Sequence, residues 1–174
     1  MTARIRLARP SELRHLAAVE DAGAPLFEEY FGEATVPALL APAPSGAERD
    51  LVGTLLVAVE DGTVVGFAHV TPHDDVAHLE QVSVLPSHGC RGIGADLVRA
   101  AMEEARWAGF EEMSLCTYRD VPWNGPFYRS LGFTEVEELA PFQRRLREHE
   151  LSLRLDGPGV RVVMTAPLRR PDRG

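Results

Sequence analysis

The stretch Val82-Ser83-Val84-Leu85-Pro86-Ser87-His88-Gly89-Cys90-Arg91-Gly92-Ile93-Gly94-Ala95 decides the fold. An extended run over 78 to 85 ends at Pro86, which has no N–H to give to a neighbouring strand. Beyond the glycines, Leu97, Val98, Ala101, Met102, Ala105 and Ala108 recur at helical spacing, with Asp96, Arg99, Glu103, Glu104 and Arg106 outward and Gly109 as the cap. The turn between strand and helix is a run of backbone N–H groups with little side chain in the way. The first amides of a helix lack intrahelical acceptors, the helix dipole adds partial positive charge, and Arg91 adds a full one. Such a turn suits a diphosphate; a turn needed only for tight packing is the competing reading.

Other phosphate-binding patterns fit poorly. A nucleotide P-loop requires Gly-Lys-Ser/Thr, and the chain contains no lysine, all 18 of its Lys-plus-Arg residues being arginine. A dinucleotide fingerprint needs G-x-G-x-x-G, whereas Gly89, Gly92 and Gly94 give G-x-x-G-x-G.

Working outward, Leu55 to Val59 and Val64 to Val70 flank Asp61-Gly62, a pair suited to the positive φ angles of a tight hairpin. Arg4 to Arg9 reads as a short strand, and Pro10-Ser11-Glu12 opens a helical pattern through Leu13, Leu16, Ala17 and Glu20. Residues 22 to 50, with Phe27, Tyr30 and Phe31, read as a broken helix or mobile loop over a site, or as a surface excursion alone. Downstream, Met113 to Tyr118, Phe133 to Glu137 and Val160 to Met164 read as strands, Pro126 to Leu131 as a short helix, and Pro141 to Leu151 as helix-compatible. One domain over 1 to 174 is expected, with a flexible tail over 167 to 174. The class is α/β in a mixed, α+β arrangement.

Twenty-six acidic residues against 18 basic give a net charge of −8, the wrong sign for gripping a phosphate backbone, so no nucleic acid partner is expected. Glu28, Glu29, Glu33 and Asp120 favour a cationic small molecule instead. Cys90 and Cys116 form no disulfide framework, and no apolar run approaches a membrane span of about 18 residues, which points to a cytoplasmic protein without membrane contact. His73-Asp74-Asp75 followed by His78 matches no standard metal-ligand spacing; it reads as a polar hairpin loop, and no metal is expected.

The turn resembles the phosphate motif of the GCN5-related N-acetyltransferase superfamily, Gln/Arg-x-x-Gly-x-Gly/Ala after a strand ending like Val82-Ser83-Val84-Leu85-Pro86. Asn124-Gly125-Pro126-Phe127-Tyr128-Arg129-Ser130-Leu131-Gly132-Phe133 resembles that family's second signature, one long helix and one strand further on. The resemblance departs at Gly89, where the family has Gln or Arg, and at Cys90, often Gly. It implies a GNAT-like mixed, mostly antiparallel sheet of about six to seven strands flanked by helices and splayed near the cofactor. It also implies an acyltransferase that moves acetyl from acetyl-CoA to a primary amine, either of a small cationic molecule or of a peptide N-terminus, in a ternary complex. A catalytically weak acyl-CoA-binding sensor of the same fold is the alternative, and a monomer or homodimer is expected.

Carried onto this chain, the resemblance places coenzyme A against Val82, Ser83 and Val84, the turn Gly89, Cys90, Arg91, Gly92, Ile93, Gly94 and Ala95, and Asn124 with Tyr128. Backbone groups of Val82 and Val84 would meet the pantetheine arm and thioester oxygen, and Tyr128 would protonate the departing sulfur. Asn124 is also a candidate helix cap. Strand alternation puts His78 and Glu80 on one face and Leu79 and Gln81 on the other, so Glu80 is the first candidate for the base and His78 its competitor. Trp107 reads as packing and Trp123 as a possible wall of the acceptor pocket.

Overall fold

In the computed structural model, which describes residues 2–168, Asp61 and Gly62 adopt φ of 49° and 78°. They form the two-residue turn between β2 (Thr54–Glu60) and β3 (Thr63–His73). A second such turn, Asp74-Asp75, joins β3 to β4 (Val76–Val84), so the expected polar loop is two residues long and β3 runs three residues past Val70. Pro72 is tolerated there because β2 has ended, its last pair being Thr54 with Val70. With β1 (Arg4–Leu7), β5 (Glu112–Tyr118), β6 (Thr134–Glu135) and β7 (Arg161–Pro167), the sheet has, among the described residues, seven strands in the order β1-β2-β3-β4-β5-β7-β6. All neighbours are antiparallel except β4 and β5.

Apolar residues run almost without a break through β2 and β3 because helices cover both faces of the sheet. On one face α4 (Ile93–Trp107) buries Ile93, Leu97, Val98, Ala101 and Ala105 against Leu56, Ala68, Leu79, Met113 and Met164. On the other, Leu16 and Val19 of α1 (Leu16–Asp21) meet Leu55, Val57 and Phe67. Each fully buried Val, Leu, Ile, Phe or Met among them contributes about 1.5–3 kcal/mol of transfer free energy.

The expected first helix is split: Pro10–His15 is 3-10 helix, and α1 follows. Residues 22 to 50 form α2 (Ala24–Phe31), two short 3-10 turns and α3 (Gly46–Asp50), the last opened by a Ser45/Glu48 capping box. After β5 come α5 (Gly125–Ser130) and α6 (Pro141–Ser152). The strand expected over Phe133 to Glu137 shrinks to the two residues of β6, an edge held by Glu135 against Arg119. Trp107 corrects another expectation: it is 75% exposed, with Arg106 over its ring and its indole N–H on Glu103. Two residues of the tail expected over 167 to 174 are built into the fold, Pro167 ending β7 opposite Glu112 and Leu168 buried in the α4 core, and residues 169–174 lie outside the described residues.

Candidate active site

The site begins where the sheet comes apart. β4 and β5 pair only through Val76–Glu112, Ala77–Met113 and His78–Ser114, although β4 continues to Val84 and β5 to Tyr118. A bulge coincides with the separation: His69 faces Gln81 and Val70 faces Leu79, which leaves Glu80 with no residue opposite. Leu85 N–H donates to the Val65 carbonyl at 2.8 Å, and antiparallel alternation then turns the backbone groups of Ser83 and Gln81 toward β3. Those of Val82 and Val84 turn into the gap facing β5.

The bulge also corrects the expected alternation. Leu79 does enter the α4 core, but Gln81 and Ser83 stand opposite His69 and Phe67, on the same face as His78 and Glu80. Gln81 Nε2 donates to Ser83 Oγ at 2.9 Å. Ser83 therefore has its backbone committed to β3 and only a side chain to offer.

The gap leads to the turn. Pro86–His88 is a 3-10 turn that consumes the Gly89 N–H on the Pro86 carbonyl, 3.1 Å away. Cys90 and Gly92 have φ of 58° and 80°. The left-handed region costs a non-glycine residue about 1–2 kcal/mol, so Cys90 carries strain at the position where the family pattern has Gly. The first bond into α4 runs from Asp96 N–H to the Gly92 carbonyl at 3.0 Å, and no side chain caps the helix. The amides of Ile93, Gly94 and Ala95 are thus without intrahelical acceptors, as the sequence implied. The Arg91 guanidinium grips Glu60 at the end of β2 (Nη1–Oε2 3.0 Å, Nη2–Oε1 2.5 Å).

Across the gap lies α5. Gly125 is required there, since a Cβ would fall 2.1 Å from the Arg119 carbonyl oxygen. Asn124 makes no side-chain cap bond, which removes the capping reading; its carbonyl accepts the Tyr128 N–H at 2.9 Å. Phe127 comes close enough to α4 that a Cβ on Gly94 would touch its ring at 3.6 Å. Tyr128 sits between Phe127 and Phe133, its hydroxyl without a hydrogen-bond partner among the described residues, and burial pushes its pKa up to about 12.

The two candidate bases share a face but not an environment. His78 is 3% exposed, bonded through Nδ1 to Ser114 Oγ at 2.8 Å and set edge-on to Phe142 of α6. Burial, and secondarily the neighbouring His73, lowers its pKa to about 3. This burial favours Glu80 over His78 as the base, since a proton acceptor must lie within reach of the proton it takes. Glu80 remains open to solvent but is lined by protein on its flanks, and desolvation raises its pKa against the opposing pull of His73, Thr71 and Arg49. Thr71 Oγ1 donates to Glu80 Oε1 at 3.4 Å.

The same face carries groups that the strand pattern did not single out. Arg161 of β7 reaches Glu150 of α6, Glu150 also holds Arg147, and Arg147 reaches Asp156 at 2.6 Å. Arg161 lies 4.6 Å from the Tyr118 ring centroid. These two cations and two carboxylates pair off with one another. Beyond them Phe27 and Tyr30 of α2 meet Trp123 at 5.5 and 5.4 Å, and Phe31 meets Tyr118 at 5.0 Å. Trp123 and Tyr30 are partly exposed, and Glu28 and Glu29 stand on the same short helix. Cys116 is half-buried with its thiol pushed up to about 12 by burial, and Cys90 is exposed; both are free thiols.

A splayed β4, a bare-amide turn and a facing Phe-Tyr helix lie around one gap in the sheet, and the model of the Acetyltransferase (GNAT) family matches residues 16–133; the chain belongs to that family. It is 30% identical over 141 residues to mycothiol acetyltransferase of Nocardia farcinica, covering 80% of this chain but 41% of that protein. It is 31% identical over 110 residues to an aminoglycoside N(6')-acetyltransferase type 1 of Klebsiella aerogenes, covering 59% of this chain and 72% of that one. The PaiA N-acetyltransferase of Thermoplasma acidophilum, solved in complex with coenzyme A, shares the fold with a TM-score of 0.67 at 17% identity, over 96% of this chain and 99% of that one. Among the described residues no helix is long and apolar enough to cross a membrane.

Proposed function

We propose that this chain binds acetyl-CoA in the gap between β4 and β5 and transfers the acetyl group directly to a primary amine of a small cationic molecule. The observation that carries the reading is the end of β4–β5 pairing at His78–Ser114, which turns the backbone of Val82 and Val84 toward an open cleft. That cleft runs to the acceptor-free amides of Ile93, Gly94 and Ala95, which suit a diphosphate. Acetyl-CoA supplies an activated thioester. The Val82 and Val84 amides hold the pantetheine arm and the thioester oxygen, with charge stabilisation by fixed donors.

Glu80 takes the proton of the attacking amine, directly or through one water, and Tyr128, kept protonated by burial, gives its proton to the departing sulfur. The acceptor enters past Tyr30 and Trp123, where exposed rings and the carboxylates of Glu28 and Glu29 favour a cation. Free thiols at Cys90 and Cys116 fit a reducing compartment such as the cytoplasm. The test is release of free thiol from acetyl-CoA on addition of a panel of amines, including polyamines, aminosugars and peptides. Release with cationic small molecules is expected; coenzyme A binding without thiol release across the panel would refute catalysis.

A further inference from the structure

The diphosphate turn has no obvious means of holding its own shape. Gly89, Gly92 and Gly94 contribute no side chains, and Cys90 sits in the left-handed region. Between Leu85 and Ala95 the only cationic or imidazole side chains are His88 and Arg91, and both land on one carboxylate from a different part of the chain. Arg91 forks onto both oxygens of Glu60, and His88 Nε2 lies 3.1 Å from Glu60 Oε2. Ser87 Oγ engages the other ring nitrogen, His88 Nδ1, at 2.8 Å, which fixes the ring's orientation toward the carboxylate. The Glu60 side chain is only 11% exposed, so this is a seated group, not a chance surface encounter.

We propose that Glu60 is the positioning residue of the phosphate turn, tying it to the end of β2 through Arg91 and His88 in place of the side chain that Gly89 lacks. The inference rests on the reading of the turn as a coenzyme A site. It carries a consequence opposite to simple electrostatics. Removing a negative charge near a bound diphosphate should tighten binding by Coulomb attraction alone. If Glu60 instead holds the bare amides in register, its removal weakens binding, because disordered amides must be ordered again when the anion arrives.

The test is coenzyme A titration by calorimetry on the wild type, Glu60→Gln, Arg91→Met and the double variant, with hydrogen exchange of amides 90 to 95 followed in the ligand-free proteins. Glu60→Gln is expected to raise the Kd about tenfold and to speed exchange in the turn, while the double variant is no weaker than the worse single one. Unchanged or tighter binding by Glu60→Gln, or additive losses in the double variant, overturns the positioning role. Should Glu60→Gln fold poorly, Arg91→Met breaks the same tie from the other side, and unaltered exchange of the turn in that variant is equally fatal. A wild type that does not bind coenzyme A refutes the site itself, an outcome distinct from the others.

Discussion

Replacing Glu80 by Gln removes a proton acceptor while leaving an oxygen to accept the Thr71 hydroxyl, so the β4 bulge should survive. A positioned general base contributes about 10²–10⁴-fold, and kcat should fall by that order with the coenzyme A Kd unchanged. The pH profile gives a sharper reading. A base works deprotonated, so activity is lost as pH falls through its pKa. Desolvation by the flanking protein raises the Glu80 pKa, so the acidic limb of kcat in the wild type should lie above that expected for a freely solvated glutamate. Glu80→Gln should abolish that limb, and His78→Asn should leave its position unchanged, since burial keeps His78 neutral down to about pH 3. The assay is steady-state thiol release at saturating acceptor, where kcat reports the ternary complex. Retention of kcat within about threefold in Glu80→Gln, or loss of the limb in His78→Asn alone, would refute the assignment.

Tyr128→Phe keeps the ring between Phe127 and Phe133 and should lower kcat by about 10²-fold with little effect on coenzyme A affinity; equal loss of both, by titration and turnover, would show packing to be its role. Gly125→Ala forces a backbone shift against the Arg119 carbonyl and should cost about 1–3 kcal/mol, visible in thermal melts as a Tm drop of roughly 2–4 °C per kcal/mol. His78 titrates near 6.5 unfolded but near 3 folded, so between those values the unfolded state binds more protons and stability falls as pH falls. Denaturant unfolding should show His78 contributing about 1.4 kcal/mol per pH unit to that loss, and a His78→Asn variant should have a shallower acid dependence.

Local chemistry explains what could be read from the sequence. The Asp61-Gly62 hairpin, the glycine turn into α4 and the Gly125 helix are each fixed by residues near one another in the chain. Their positions emerged within a few residues. What escaped depends on distant neighbours. The bulge at Glu80 leaves no mark in the residue pattern of β4, yet it moves Gln81 to the other face. Glu60 lies 31 residues before Arg91, and neither residue type announces the other. His78 looks like a surface titratable group until Phe142 and Ser114 close around it. Trp107 looks like core by residue type, but the end of α4 projects it outward.

Four strands lie on one side of the parting between β4 and β5 and three on the other, and the three residue pairs of Val76, Ala77 and His78 with Glu112, Met113 and Ser114 are the ladder that joins them. The sheet is thus a book with a short spine. Its pages are held by α4 beneath and separate toward the top, and a long thin guest lying in the opening would serve as the missing rung along the rest of the spine. Binding and folding would then draw on the same set of backbone groups, so occupancy should be felt as firmness across both pages and not only in the lining of the cleft.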